Sequence, residues 1–242
     1  ELRGKAMHAM SAIYRREMRS YFVSPVAYIV LTVFFILSGF FFTQIVKYTG
    51  QANLGGLFGN LAIVLLFTIP FITMRLVAEE KRSGTIELLL TSPVKPFEII
   101  MAKFLAAWSL IGLAIAGTLI YTLLLLLHSP METGPLLMGY LGIILLSGAL
   151  AALGVLASSL AESQIAAGII GFGISFILML LNWVGQSGQD AIHYVLREVS
   201  VIHHYGDFLE GIFDAKHLVF FLFWGVLCLS FAVKSLESRL LK

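Results

Sequence analysis

The sequence predicts an all-α membrane protein with six transmembrane helices, and three observations lead to this fold class. The chain of 242 residues is 59% hydrophobic and only 12% charged, against roughly 25% charge in a soluble globular domain. Its mean hydropathy of +0.93 is typical of a protein that is surrounded by lipid. Six apolar runs approach or exceed the roughly 20 residues that a helix needs to cross a bilayer. These runs are residues 25–46, 57–77, 103–127, 136–160, 165–184 and 217–234.

The segment before the first run, residues 11–24, is predicted to form a basic amphipathic helix that lies in the membrane interface. Aromatic residues recur there at helical spacing and three arginines occupy the other side of the helix, a pattern that suits anionic headgroups. The residues assigned to this interfacial helix are Tyr14, Arg15, Arg16 and Arg19. We interpret residues 1–10 as a tag or a disordered extension, and residues 25–242 as one transmembrane domain.

A short amphipathic helix is predicted between the second and third runs. Gly84 is an acceptable N-cap, and the first turn that follows it carries an acidic residue, which the helix dipole favours. Ile86, Leu89 and Leu90 then share one face, and Pro93 ends the helix after about two turns. A helix this short is marginal in isolation, so its apolar face is expected to pack against another part of the protein.

Residues 185–216, between the fifth and sixth runs, are predicted to form short helices at the opposite membrane surface, and we call them the outer segment. Apolar residues recur at helical spacing from Ile192 to Val199, and again at Phe208, Ile212 and Phe213. Four histidines lie in or beside this segment: His193, His203, His204 and His217. We interpret them as packing or interface residues, with metal binding or proton handling as the alternative.

The distribution of lysine and arginine predicts the orientation of the helices. An even number of spans places both termini on one side of the membrane. That side holds five basic residues in the N-terminal segment, five between runs two and three, and three at the C-terminus, against three on the other side. Because positively charged loops stay in the cytoplasm, both termini and residues 78–103 are expected to be cytoplasmic.

Several function classes are disfavoured by what the sequence lacks. It contains no phosphate-binding loop of the form G-x-x-x-x-G-K-[ST] and no Rossmann glycine pattern, so it is not expected to hydrolyse ATP alone. The single cysteine, Cys228, excludes an internal disulfide. Charged residues are essentially absent from the interiors of the runs, which argues against proton-coupled secondary transport. An ion-coupled carrier or channel that works without an ATPase is a third function class.

Residues 79–94 carry a resemblance to a known family. They read Glu-Glu-Lys-Arg-Ser-Gly-Thr-Ile-Glu-Leu-Leu-Leu-Thr-Ser-Pro-Val, which resembles the cytoplasmic coupling motif of ABC-2-type permeases. In that family the motif docks on the ATPase subunit, and residues 14–25 are similar to the family's elbow helix. The residues that the resemblance assigns to ATPase coupling are Glu79, Glu80, Lys81, Arg82, Gly84, Thr85, Glu87, Leu89, Leu90 and Pro93.

The resemblance implies a type V ABC exporter fold and a function. Residues 201–214 look closest to the gliding-motility-associated Gld-type permeases. The implied protein is a non-enzymatic permease subunit of the bacterial inner (plasma) membrane, which couples ATP hydrolysis by a separate subunit to export. The alternative is a mechanotransmitting subunit that passes ATP-driven motion to periplasmic partners without translocating a substrate.

The expected partners follow from the same resemblance. They are ABC ATPase (nucleotide-binding) subunits, a second copy of the permease or a related permease, lipid, and periplasmic or auxiliary membrane subunits. No nucleic acid is expected. No cofactor is expected on this chain, because ATP and Mg would bind to the partner ATPase.

Overall fold

The computed structural model describes residues 2–49, 54–86, 94–127, 133–188 and 190–240, and every regular element in these ranges is a helix. The helices of the described ranges are α1 (Leu2–Val23), α2 (Pro25–Thr49), α3 (Leu54–Thr73), α4 (Ala78–Arg82), α5 (Pro96–Gly117), α6 (Leu119–Leu126), α7 (Thr133–Leu160), α8 (Gln164–Gln186), α9 (Ala191–Val199), α10 (Val201–Leu209) and α11 (Ala215–Leu240). Helix α1 begins at Leu2, and therefore includes most of the residues that the sequence set apart as an extension.

Within the described ranges, six helical segments are long and apolar enough to cross a membrane, which confirms the predicted all-α fold with six spans. In chain order these spans are Pro25–Lys47, Gly55–Arg82, Pro96–Leu126, Thr133–Leu160, Gln164–Gln186 and Ala215–Ser238. We call the end of the bundle that carries residues 74–86 and 94–103 the basic end, and the end that carries α9 and α10 the opposite end.

Span three begins at Pro96, earlier than the predicted residue 103. Proline is favoured in the first turn of a helix because it needs no hydrogen-bond acceptor and its φ is already helical. The backbone N–H of Lys95 donates to the Glu98 carboxylate at 3.3 Å and supports the same start. Residue 103 therefore lies inside the helix and not at its edge.

Span two is interrupted near the basic end. Helix α3 ends at Thr73, and four residues in turn conformation precede α4. Gly84 then adopts φ +71°, a left-handed conformation that is typical of the residue after a helix C-terminus. Gly84 thus ends α4, and the two residues after it are again helical, while the rest of the helix that the sequence predicts there lies outside the described residues.

Spans two and four form the centre of the bundle. In each of them 72% of the most apolar window is buried, compared with 11%, 22% and 17% for spans one, five and six. Helix α7, which is span four, packs against α3, α5, α8, α10 and α11. The exposed apolar faces of the peripheral spans are therefore available to lipid or to another membrane subunit.

Small residues allow the central helices to approach closely. A β-carbon on Gly154 of α7 would collide with the Thr73 hydroxyl of α3. In α8, residues Ala167, Gly171 and Ser175 are buried at a helix crossing, and a β-carbon on Gly171 would lie 3.5 Å from the Ala157 β-carbon. Small side chains at this crossing let the two helix backbones come close together.

The outer segment contains two helices, α9 and α10, as predicted, but the second one is placed differently. It runs from Val201 to Leu209, and Gly211, with φ +79°, follows its C-terminus. The predicted helical face through Ile212 and Phe213 is therefore wrong, because the left-handed residue has already ended the helix. Two hydrogen bonds anchor the segment to the spans: Ser200 Oγ donates to the Leu178 carbonyl and Tyr205 Oη to the Phe58 carbonyl.

Candidate functional site

The structure divides the predicted coupling residues into an exposed set and an inward-facing set. The exposed set is Glu79 together with residues 82–85, and we call it the exposed edge. Glu80 and Lys81 are half-buried and face the bundle. Glu87, Leu89, Leu90 and Pro93 lie outside the described residues. Ile86, the first member of the predicted apolar face, is buried in the main core.

The exposed edge is ordered by short polar contacts of its own. Ser83 Oγ donates to the Glu79 carbonyl at 2.9 Å and lies 2.8 Å from Thr85 Oγ1. The left-handed Gly84 lies between these two hydroxyl residues, and a β-carbon there would have no neighbour within 4 Å. The edge thus presents charged and hydroxyl groups to the surroundings on a defined turn.

Glu80 belongs to a compact group of four charges, Arg16, Glu17, Glu80 and Lys103, which we call the ion cluster. The Lys103 ammonium lies 2.9 Å from Glu17 Oε1 and 2.9 Å from Glu80 Oε2. Arg16 pairs with both carboxylates, at 3.0 Å from Glu17 and closer still to Glu80. Two cations and two anions leave the cluster neutral, and it connects α1, α4 and α5.

Lys103 is the most buried member of the ion cluster. Its side chain is 0% exposed, and its third contact is the Leu76 carbonyl oxygen, 2.5 Å away. An ammonium has three N–H donors, and three oxygen atoms surround this one. A buried charge is tolerated only when it is paired and hydrogen-bonded in this way.

The two cations of the ion cluster keep Glu17 ionised. Burial by itself would raise the pKa of this carboxyl, but Lys103 and Arg16 outweigh that effect and lower the pKa below its usual value. Glu17 therefore remains a carboxylate at neutral pH and can hold both cations.

A second set of contacts fastens the same segment to α7. Ser158 Oγ accepts hydrogen bonds from the N–H groups of Val77 and Ala78 at 3.0 Å each, and donates to the Met74 carbonyl. These two N–H groups lie at the start of α4, where a helix leaves its donors without internal partners. The Lys81 ammonium donates to the Ser159 carbonyl at the end of α7.

The residues of α1 that were assigned to the membrane interface differ in their exposure, with one exception among the arginines. Arg15 and Arg19 are exposed, while Tyr14 is half-buried and its hydroxyl donates to Ser109 Oγ at 3.1 Å. The exception is Arg16, whose guanidinium is part of the ion cluster.

Tyr21 attaches the end of α1 to span two. Its hydroxyl donates to the Ile72 carbonyl at 2.9 Å, and Arg75 lies 4.6 Å above its ring. The Arg75 guanidinium also donates to Ser24 Oγ at the junction between α1 and α2. Movement of α1 is therefore tied to the end of span two as well as to α4.

Three residues of this site were not predicted from the sequence: Glu17, Lys103 and Ser158. Lys103 was counted only among the basic residues of the loop, although the apolar residues on both sides of it were a usable signal. A charge within an apolar run usually has a partner inside the protein. Nothing in the local sequence identified Glu17 as that partner, because the two residues are 86 positions apart.

The arrangement links the exposed edge to several helices of the bundle. Residues next to the edge contact α1 and α5 through the ion cluster, and α7 through Ser158. In the described ranges, no group of three or more His, Cys, Asp or Glu side chains is placed to hold a metal.

Comparison with known proteins gives one match. The family model for ABC-2 family transporter proteins matches residues 41–233, about four fifths of the chain. The match includes the exposed edge, Glu80, Lys103 and Ser158. A search of the curated proteins found no match.

Proposed function

Because the chain belongs to the ABC-2 family of transporter membrane proteins, we propose that it is a permease subunit that couples ATP hydrolysis by a separate ATPase subunit to export. The family component is a membrane transport part and not itself catalytic. The hydrolysis that drives it must therefore take place in another chain, with ATP and Mg bound there.

The observation that carries the proposal is the two-sided arrangement around α4. One side is the exposed edge, with charged and hydroxyl groups open to a partner. The other side is fixed to the spans by the ion cluster and by Ser158. A partner that closes against the exposed edge would move span two, span three and α1 together, because these elements share the ion cluster.

The proposal includes an orientation and a location. The concentration of lysine and arginine at the basic end supports a cytoplasmic position for that end in a bacterial inner membrane. The ATPase subunits would then bind from the cytoplasm. The outer segment would lie at the periplasmic surface, where Ile192 and Val195 of α9 are exposed and suited to the lipid interface.

The proposed assembly contains two permease chains and two ATPase subunits. The poorly buried spans one and five offer apolar surface for a second copy or a related permease. The likeness of residues 201–214 to Gld-type permeases makes a periplasmic or auxiliary membrane partner part of the same proposal.

Charge reversal on the exposed edge tests ATPase docking. Glu79 and Arg82 are exposed, and both substitutions, Glu79→Lys and Arg82→Glu, leave the ion cluster intact. We expect either variant to lose ATPase subunits on co-purification from the native membrane, because a like charge would face the partner. The matched control is Asp190→Lys, which reverses the charge of an exposed acidic residue at the opposite end. This variant should retain the ATPase subunits.

The thermal unfolding of each purified variant must be measured beside its co-purification. A variant with an unchanged unfolding temperature and a lost ATPase supports docking at the exposed edge. If both charge-reversed variants retain the ATPase as well as Asp190→Lys does, the docking role of residues 79–85 is wrong.

A second candidate, the mechanotransmitting subunit, is favoured by the firm attachment of the outer segment. Tyr205 hydrogen-bonds to span two and Ser200 to span five, so displacement of these spans would reach the periplasmic surface directly. A reconstituted complex that hydrolyses ATP and moves its periplasmic partner without transporting solute would favour this function over export.

A further inference from the structure

Two buried histidines at the opposite end form a continuous hydrogen-bonded chain. His204 of α10 and His217 of α11 face each other with their Nδ1 atoms 2.6 Å apart. The Nε2 atom of His217 lies 2.6 Å from Asp207 Oδ2, and the Nε2 atom of His204 lies 2.9 Å from the Glu198 carbonyl oxygen. The two histidine side chains are only 1% and 5% exposed.

The number of protons in this chain follows from its two ends. A carboxylate and a backbone carbonyl are both acceptors, so the outermost nitrogens of the histidine pair must both carry N–H groups. The central contact between the two Nδ1 atoms needs one further proton. Three protons on two imidazoles are one more than two neutral histidines hold.

We infer that Asp207, His217 and His204 form a proton-binding site that fastens the outer segment to span six. The bound proton gives the histidine pair one positive charge, which the Asp207 carboxylate balances at 2.6 Å. The total number of protons in the hydrogen-bonded chain is the same if the extra proton resides on Asp207, because that carboxyl would then donate to a neutral His217.

The site has a preferred occupancy of one proton. If this extra proton is lost, one of the three hydrogen bonds lacks a hydrogen and two acceptors face each other. If a further proton is added, both Nδ1 atoms carry a hydrogen, and these hydrogens repel each other because the two nitrogens are 2.6 Å apart. Each change breaks a contact between the outer segment and span six, so the contact is complete only at intermediate pH.

The surroundings resist a second proton on the pair. Burial lowers the pKa of His204, and the neighbouring His217 acts in the same direction against the opposing effect of the Glu198 carbonyl. Phe220 stacks on the His204 ring at 3.8 Å and covers it. The lowered pKa of His204 agrees with a pair that shares one charge and avoids two.

The charged groups around the pair come from each element that packs on it. Glu198 of α9 lies 3.9 Å from His204 and is itself paired with Lys216 at 2.9 Å. Asp214, which precedes α11, accepts the backbone N–H of Lys216. On α10, the ring of His203 lies 5.4 Å from that of His204. Burial lowers the pKa of His203, and Arg197 lowers it further.

Proton exchange with the surroundings would pass through Asp207. Its side chain is 41% exposed, whereas both histidines are buried behind it. The carboxylate also lines a cavity of about 300 Å³ at the opposite end, together with His203, Asn182 and Gln186. The pH at that surface of the membrane would therefore set the occupancy of the site.

The site predicts the shape of a stability profile. In an unfolded chain, the two histidines of this pair together bind on average one proton at about pH 6.5 and fewer above it. The folded pair holds one proton on both sides of that pH. Stability should therefore be greatest near pH 6.5. Stability should fall as the pH rises above this value, because the folded state then holds more protons than the unfolded state. Stability should also fall as the pH drops below it, because the folded state then holds fewer protons than the unfolded state.

The test measures the thermal unfolding temperature of the full chain in detergent between pH 5 and pH 9. We expect this temperature to fall by about 4 °C per pH unit on the alkaline side. His204→Gln and His217→Gln should remove this dependence, because an amide can donate and accept without titrating. His203→Gln, a substitution of the adjacent histidine outside the chain of hydrogen bonds, should keep it.

Asp207→Asn separates proton binding from simple loss of a contact. An amide oxygen can still accept from His217 but does not balance a charge, so the folded pair should lose its proton at a lower pH. The fall of the unfolding temperature with rising pH should therefore end at a lower pH than in the original chain. An equal loss of stability at every pH would overturn the inference. So would a pH dependence that is the same in the original chain and in His217→Gln, or one that His203→Gln also removes.

Discussion

The Lys103 ammonium is held by three oxygen atoms from three parts of the chain: Glu17 of α1, the Leu76 carbonyl and Glu80 of α4. Its side chain is completely buried, so removing one partner would leave the others with uncompensated charge. The residue therefore joins three elements as long as all of its partners remain.

Lys103→Met tests this role. It retains the apolar length of the side chain but leaves Glu17 and Glu80 facing each other with Arg16 as their remaining cation in the cluster. We expect a loss of about 3–5 kcal/mol in the free energy of unfolding, the cost of breaking a buried ion pair. Thermal or denaturant unfolding in detergent measures it. Lys95→Met, on the exposed lysine that directly precedes α5, is the control.

The outcome of a double substitution distinguishes charge from packing. If the ion cluster acts through charge, Lys103→Met combined with Glu80→Gln should cost less than the sum of the two single substitutions. Additive losses would contradict the assigned pairing of Lys103 with Glu80.

At the scale of elements, helix α7 organises both ends of the molecule. Near the basic end, Ser158 binds the turn before α4, and near the opposite end α7 supports α10 through glycine contacts. A β-carbon on Gly142 would lie 2.6 Å from the Phe208 β-carbon and 3.2 Å from the Tyr205 ring. The outer segment can therefore approach α7 closely only because this position has no side chain.

Gly142→Ala should weaken this contact. Overpacking of a close helix contact costs about 1–3 kcal/mol, which corresponds to a fall of several degrees in unfolding temperature. Gly112→Ala in α5 is the matched control, because a β-carbon there meets nothing within 4 Å. Helix propensity alone should make that variant neutral or slightly more stable. Equal effects at the two glycines would contradict a packing role for Gly142.

For the whole molecule, the orientation of the two ends decides on which side of the membrane the proposed docking edge and the proposed proton-binding site lie. The exposed edge lies at the basic end and the outer segment at the opposite end. The proposed function requires these surfaces on different sides of the membrane, with the exposed edge in the cytoplasm.

Cysteine accessibility can establish this orientation. The chain has one cysteine, Cys228, which is buried, so Cys228→Ser provides a clean background. We expect a membrane-impermeant maleimide added to intact cells to label Asp190→Cys but not Ser83→Cys. Both positions are exposed, and both should react after permeabilisation. Labelling of Ser83→Cys in intact cells would reverse the proposed orientation.

The sequence predicted the features that depend on composition and on spacing along one helix. Six apolar runs were enough to determine the number of spans, because only segments of that length and hydropathy satisfy their backbone in lipid. The spacing of apolar residues also predicted short helices in the outer segment, where α9 and α10 lie. Arg16 was assigned to the interfacial helix and Glu80 to the coupling motif, but the sequence did not predict that these two residues form an ion pair.

Only the tertiary structure decided which of these residues meet. The pairing of Glu17 with Lys103 and of His217 with Asp207 depends on how helices pack side by side, and helical periodicity within one segment carries no information about its neighbours. The sequence by itself thus determined that this is a six-span membrane protein with a charged segment between spans two and three. Packing determined that this segment is bound to α1 and α7, because its buried donors and charges must find partners there.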